Sequence, residues 1–406
     1  MPGLPAGTAR SGHRISEQGK APMPQAMSSR DRIRAAIRRE PVDRVPCCGF
    51  FNPLSPQQRV GHTWNFPWPD GTPYAEQIRY QVEELGLDQV VYFSASVTRQ
   101  HPEVTSEVHI EGDVLRKVYH TPAGDLSAAV RYNDMWPHGE DIPFYSDHNV
   151  GHYIEPWLQT REDLDCLRFV FEPLDMGEAL DAARSYYAEQ RALADRFGLA
   201  VMGIGGMGLT GAQHLFGVRE LCMLTIEDPE LVDDYLEFDH QRILRTLDLY
   251  GELGVDIVTR NGFYETADFY SPSTLGRFLT DRLNTEARAA HSHGMLTTYT
   301  VHTGVMPILD HLAGLELDSL VGIDLAFHGV DPCEIRDRLA PKKAFWTGPS
   351  STFHIWKGPE ATREAVRLAF DCFGKTGLIL SQCVSSHSIM PWESTLAMID
   401  EWKKLR

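Results

Sequence analysis

A chain of 406 residues, 42% hydrophobic and 23% charged, holds enough apolar material for one large domain or two modest ones. No apolar run reaches the roughly 18 residues a membrane span needs, and a formal net charge of −18 excludes a general nucleic-acid binder, because phosphate would be repelled. Seven cysteines, an odd number without a CxxC pair, exclude a disulfide framework and predict a reduced, cytoplasmic chain.

Residues 1–27 are rich in Pro, Gly, Ala and Ser and lack the apolar core of a secretory signal, so they read as a disordered extension. A single folded unit is expected over 28–406. A first helix opens at Ser29. Short apolar runs then recur at 44–50, 89–93, 199–204, 255–258, 295–301, 319–323, 344–346 and 378–380. Their length and their content of Val, Ile and Leu predict buried parallel strands. Helix starts stand between them at Asp228-Pro229, Ser271-Pro272 and Asp331-Pro332, each a capping side chain followed by Pro at the first helical position. Eight strands alternating with helices predict a (β/α)8 TIM barrel. The stretch 97–149 differs. It alternates apolar with polar residues and has turn glycines at Gly112 and Gly124, which predicts an inserted antiparallel hairpin or meander. Such an insertion either covers the barrel mouth or only packs on the barrel.

Chemistry in a barrel is done at the carboxyl ends of the strands. Cys383 closes the last apolar run, His302 closes the run at 295–301, and Glu265 follows the run at 255–258. Thiolate, imidazole and carboxylate are the common zinc ligand types, so the three form a candidate metal set. A metal-free alternative uses His302 as an acid or base. Cys383 alone is as readily a packing residue. Arg260, Asn261 and Tyr264 lie at one strand end. His354 and His387 lie in loops after strands, and all five are candidate substrate contacts. The stretch Gly205-Gly206-Met207-Gly208-Leu209-Thr210-Gly211 is not GxGxxG, and is expected to let a ligand approach the backbone.

Several segments together resemble the uroporphyrinogen decarboxylase superfamily. They are Arg30-Asp31-Arg32-Ile33-Arg34-Ala35-Ala36-Ile37 with the following 38–46, Tyr153-Ile154-Glu155-Pro156-Trp157, Phe216-Gly217-Val218-Arg219-Glu220-Leu221, Asp228-Pro229-Glu230-Leu231-Val232 and the tail from Cys383 to Met398. The resemblance is closer to the corrinoid-linked methyltransferase branch than to the decarboxylase. The decarboxylase's Arg-Gln-Ala-Gly-Arg motif is replaced by Cys47-Cys48-Gly49-Phe50-Phe51. The zinc methyltransferases' His-x-Cys-Gly is replaced by Val301-His302-Thr303-Gly304, while Cys383 matches their later cysteine.

The resemblance implies a (β/α)8 barrel, a homodimer, and methyl transfer between a small methylated compound and a corrinoid carried by a separate partner protein. O-demethylation of a methoxylated compound is the concrete form. Zinc or a general acid would activate the ether oxygen. On this reading His302, Glu265 and His387 are catalytic. Phe51, Asn52, Trp64, Arg260, Asn261, Tyr264 and His354 meet the substrate, and Cys383, His302 and Glu265 hold the zinc. The competing reading is a cofactor-free decarboxylase or lyase acting on a non-porphyrin acid, with Arg260 gripping the carboxylate. A third is a non-catalytic binding protein for a corrinoid or similar ligand.

Overall fold

The computed structural model describes residues 26–49, 72–383 and 390–406. Phe51, Asn52, Trp64 and His387, and nearly all of the expected extension over 1–27, lie outside the described residues. Met27 is described, and it is held: its N–H donates to Asp43 and its carbonyl accepts from Arg32.

Seven strands form one parallel sheet in chain order: β1 (Val90–Phe93), β2 (Ala200–Gly206), β3 (Ile257–Asn261), β4 (Leu296–Thr300), β5 (Ser319–Val321), β6 (Ala344–Thr347) and β7 (Leu378–Leu380). The described part of the run at 44–50, residues 44–49, supplies the eighth position. Cys47 bridges Leu380 in parallel, the Cys48 N–H donates to the Leu380 carbonyl at 2.9 Å, and the Leu380 N–H donates to that of Pro46 at 2.9 Å. On its other side the Cys47 carbonyl accepts from Asp88 N–H, two residues before β1, at 2.9 Å. The sheet therefore curls until its ends meet through this segment, as a TIM barrel requires.

The crossover helices lie outside this sheet and begin where their caps dictate. The side chains of Asp228, Ser271 and Asp331 accept backbone N–H groups of the first turn, and Pro229, Pro272 and Pro332 open the helices Pro229–Leu253, Pro272–Ser292 and Pro332–Leu339. Each helix packs an apolar stripe on the strands. The last helix, Trp392–Leu405, buries Trp402 completely and uses its indole N–H to reach the Val45 carbonyl at 2.8 Å. Burial of so large a side chain contributes on the order of 3 kcal/mol. It fastens the chain's end to the segment that closes the barrel.

Between β1 and β2 the chain leaves the barrel. Thr98–Arg99 pairs antiparallel with Glu172–Pro173, so the excursion returns there rather than at 149. It carries a four-stranded antiparallel sheet of Thr105–Glu111, Val114–Thr121, Gly124–Arg131 and Tyr153–Glu155, with the helices Asp147–His152 and Arg161–Val170. Leu115, Leu126, Val130 and Trp157 bury one face of this sheet in a core shared with the barrel helix Leu209–Phe216. Thr105–Glu111 is exposed along its whole length.

The glycine-rich stretch 205–211 has a packing role. A Cβ on Gly206 would stand 2.5 Å from the Ile243 side chain, and one on Gly208 would stand 2.0 Å from the Arg260 guanidinium, at φ +52°. These glycines admit side chains of the protein rather than a ligand. No described helix is long and apolar enough to cross a membrane. No disulfide joins the seven cysteines.

Candidate active site

A cavity of about 670 Å³ opens at the carboxyl ends of the strands. Side chains alternate along a strand, and this decides which residues reach the cavity. On β4 Thr298 and Thr300 line it, followed by His302. On β3 Thr259 and Asn261 line it. β2 contributes Met202 and Ile204, β6 contributes Trp346, and the ends of the closing and last strands contribute Cys48 and Gln382. The loop after β3 adds Phe263, Tyr264, Asp268 and Phe269, and the insertion adds Asp147.

The residue between two lining residues points the other way. Tyr299 and Arg260 face the helix layer, and Glu265 joins them there. Glu265 is 1% exposed, and its carboxylate accepts from the Tyr299 hydroxyl at 2.6 Å, from the Thr210 N–H at 3.3 Å and from Arg260 at 3.4 Å. Arg260 also pairs with Glu286 at 3.1 Å, and Glu286 in turn meets His240 at 2.8 Å. The expectation that Arg260 contacts substrate and Glu265 is catalytic or a metal ligand is therefore corrected. Both are spent on a buried charge network behind the sheet.

His302 and Cys383 do come together. Both turn to the Gly322 carbonyl, His302 Nδ1 at 2.9 Å and Cys383 Sγ at 2.6 Å, and they stand 4.0 Å from each other. Without Glu265 the expected zinc set is incomplete, and no group of three His, Cys, Asp or Glu side chains among the described residues could hold a metal ion. The three named residues do not fit zinc as a set, because a zinc site needs at least three converging donors. His354 is likewise elsewhere. It sits in the turn Ser351–Ile355, where its Nδ1 accepts the Ser350 N–H at 3.1 Å, and it does not line the cavity.

The state of His302 follows from its surroundings. A ring nitrogen facing a carbonyl must carry the proton, so Nδ1 is the donor and Nε2 the acceptor. The ring stacks on Phe263 with centroids 5.4 Å apart and planes 4° from parallel. Burial holds its pKa below the ordinary histidine value, and the nearby Gly322 carbonyl and Asp324 oppose this only in part. His302 is a neutral ring at neutral pH, and its one N–H is held by the Gly322 carbonyl.

Burial also lowers His311 and His354. The sign for stability follows. The unfolded chain takes up these protons first as pH falls, so stability present above about pH 6.5 is lost below it. The melting temperature is expected to drop between pH 7.5 and 5, and His302→Gln is expected to flatten that drop. An unchanged slope in the variant would show that His302 is not held neutral by burial.

Two further features were not foreseen from the sequence. Asp147 Oδ1 accepts from the Tyr264 hydroxyl at 2.8 Å and stands 3.1 Å from His214 Nε2, so the insertion reaches the cavity wall through one carboxylate. Asp268 lines the cavity beside Thr303, whose hydroxyl donates to it at 2.5 Å. Period-two alternation in the predicted strands marks Thr298 and Thr300 as one face. Nothing in the sequence marks Asp147.

No family model matches this chain, and no curated protein matches it. Among solved structures, a methyltransferase from Methanosarcina mazei is similar over 93% of this chain and 99% of that chain, at 17% identity and a TM-score of 0.56. A B12-independent methionine synthase from Shewanella sp. W3-18-1 aligns over 54% of this chain and 67% of its own, at 13% identity and a TM-score of 0.35. A 3-keto-D-glucoside 4-epimerase from E. coli aligns over 58% and 95%, at 11% identity and a TM-score of 0.35. The last two likenesses are too slight to argue from. The chain has the fold of the Methanosarcina mazei methyltransferase, a TIM-barrel-like α/β fold shared from end to end.

Proposed function

We propose that this protein is a methyltransferase that moves a methyl group between a small methylated compound and a corrinoid held by a separate partner protein. The fold shared with the Methanosarcina mazei methyltransferase supports this reading, as do the segments that resemble the corrinoid-linked branch. The observation that carries it is the cavity itself. It is of small-molecule size, stands at the functional end of the barrel, and is walled by aromatic rings and threonines. Such walls hold a methyl-bearing group out of water and aligned for in-line attack. The partner's corrinoid would supply the nucleophile. The work of this chain is to bind, orient and shield.

The decarboxylase reading needs a cation facing the cavity. Arg260 is the candidate cation, and it is committed to Glu265 and Glu286 on the opposite face of the sheet. That alternative has lost its carboxylate grip among the described residues.

The test is a transfer assay with free reduced cobalamin as the acceptor and a panel of methylated amines, ethers and thioethers as donors. The visible spectrum of the cobalamin reports methylation. Methylation that requires the protein is the expected result. Failure with every donor, together with carbon dioxide release from a small acid, would overturn the proposal.

A further inference from the structure

We infer that the cavity is built for a methylated onium cation, a quaternary ammonium compound, rather than for a neutral or anionic methoxylated compound. For its chemistry this rests on the methyltransferase reading. For binding it stands on the cavity alone.

Two observations converge. The rings of Tyr92, Phe263, Tyr264, Phe269 and Trp346 line the cavity, and aromatic faces attract a cation through their quadrupoles. Two carboxylates, Asp147 and Asp268, line the same space, and among the described residues no lysine or arginine does. A carboxylate-bearing aryl ether would meet repulsion there, whereas an ammonium group would meet both attractions.

The chemistry agrees with the site. When an onium gives up a methyl group, the carbon–nitrogen bond breaks and its electron pair stays on nitrogen. The bond from carbon to the acceptor forms from the acceptor's own pair, here that of the partner's reduced corrinoid. A neutral tertiary amine leaves, the positive charge passes to the acceptor, and no proton moves. An aryl ether would instead release a phenoxide, which calls for a proton donor or a Lewis acid at the oxygen. His302, neutral and donating its one N–H to Gly322, is not such a donor.

The experiment is calorimetric titration of the full chain with choline, with its uncharged isostere 3,3-dimethylbutan-1-ol, and with 4-methoxybenzoate. Choline is expected to bind at least about tenfold more tightly than the isostere. Asp268→Asn is expected to reduce the ratio of choline affinity to isostere affinity at least threefold, because one of the two carboxylates is gone. Asp147→Asn serves as the second variant should loss of the Thr303 contact disturb folding. Equal affinity for choline and its isostere, or tighter binding of 4-methoxybenzoate, overturns the inference. Failures of the two readings separate cleanly. Choline that binds selectively but gives no methyl to cobalamin upholds the cation site and sinks the methyltransferase. Methyl transfer from a methoxyarene with no choline binding does the reverse.

Discussion

Arg260→Leu is expected to destabilise the fold by about 3–5 kcal/mol, the range seen when one partner of a buried ion pair is removed. The guanidinium is 6% exposed and faces two carboxylates, Glu265 at 3.4 Å and Glu286 at 3.1 Å. Gly208 leaves the space it occupies. Without Arg260, Glu265 stays buried beside Tyr299 with no guanidinium, and Glu286 keeps only His240. The pH dependence is distinctive. Burial already pushes the Glu265 carboxyl above its ordinary value, and the attraction of Arg260 is the main force holding it down. In the variant the folded state binds that proton more tightly than the unfolded chain does, so stability is retained near pH 5 and lost as pH rises. Denaturant unfolding at pH 5.5 and pH 8 should therefore show the larger deficit at pH 8. Adding Glu265→Gln should recover part of it, because the orphaned charge is gone. If Arg260→Leu were as stable as the parent and changed only a KM, the guanidinium would belong to the substrate site and the network would not be structural.

The same residue shows what the sequence could and could not tell. Runs such as 378–380 were legible as strands because a parallel strand covered on both faces must be apolar throughout. The segment at 44–50 was legible for the same reason, although it makes only a bridge and two hydrogen bonds to Leu380. The convergence of His302 and Cys383 followed from the barrel, which brings distant strand ends to one mouth. Arg260 and Glu265 were misplaced because residue type says nothing about which face of the sheet a polar side chain takes. A buried ion pair in the helix layer uses the same residues as an active site. The alternation held the answer: Arg260 lies one step from Thr259 and Asn261, and Tyr299 one step from Thr298 and Thr300, which is enough to turn each from the cavity to the helices. Asp147 was beyond reach. It stands 117 residues before Tyr264 and arrives through an insertion whose docking depends on the tertiary core around Trp157.

Asp147→Ala is therefore expected to damage function and to cost about 1–3 kcal/mol of stability, because it leaves the buried His214 ring without a hydrogen-bond partner. What Asp147 holds is the wall. The Tyr264 hydroxyl donates to it, and burial together with the Asp147 charge keeps that phenol protonated far above neutral pH, so the bond persists over the working range. Tyr264 in turn sets Phe269, with ring centroids 5.5 Å apart in an edge contact. His214 loses its Nε2 partner as well, and its Nδ1 has none. A wall that has lost this bond must be re-ordered when the ligand binds, and an ordering cost of about 1.5–3 kcal/mol lowers affinity for the cavity ligand roughly 10- to 100-fold. Tyr264→Phe separates two routes. If Asp147 acts only by fixing Tyr264, the two single variants and the double variant lose affinity equally. If Asp147 also meets the ligand's charge, Asp147→Ala costs more than Tyr264→Phe, and the excess shrinks as salt is raised. Unchanged affinity in Asp147→Ala would mean that the insertion covers the barrel without taking part in its site.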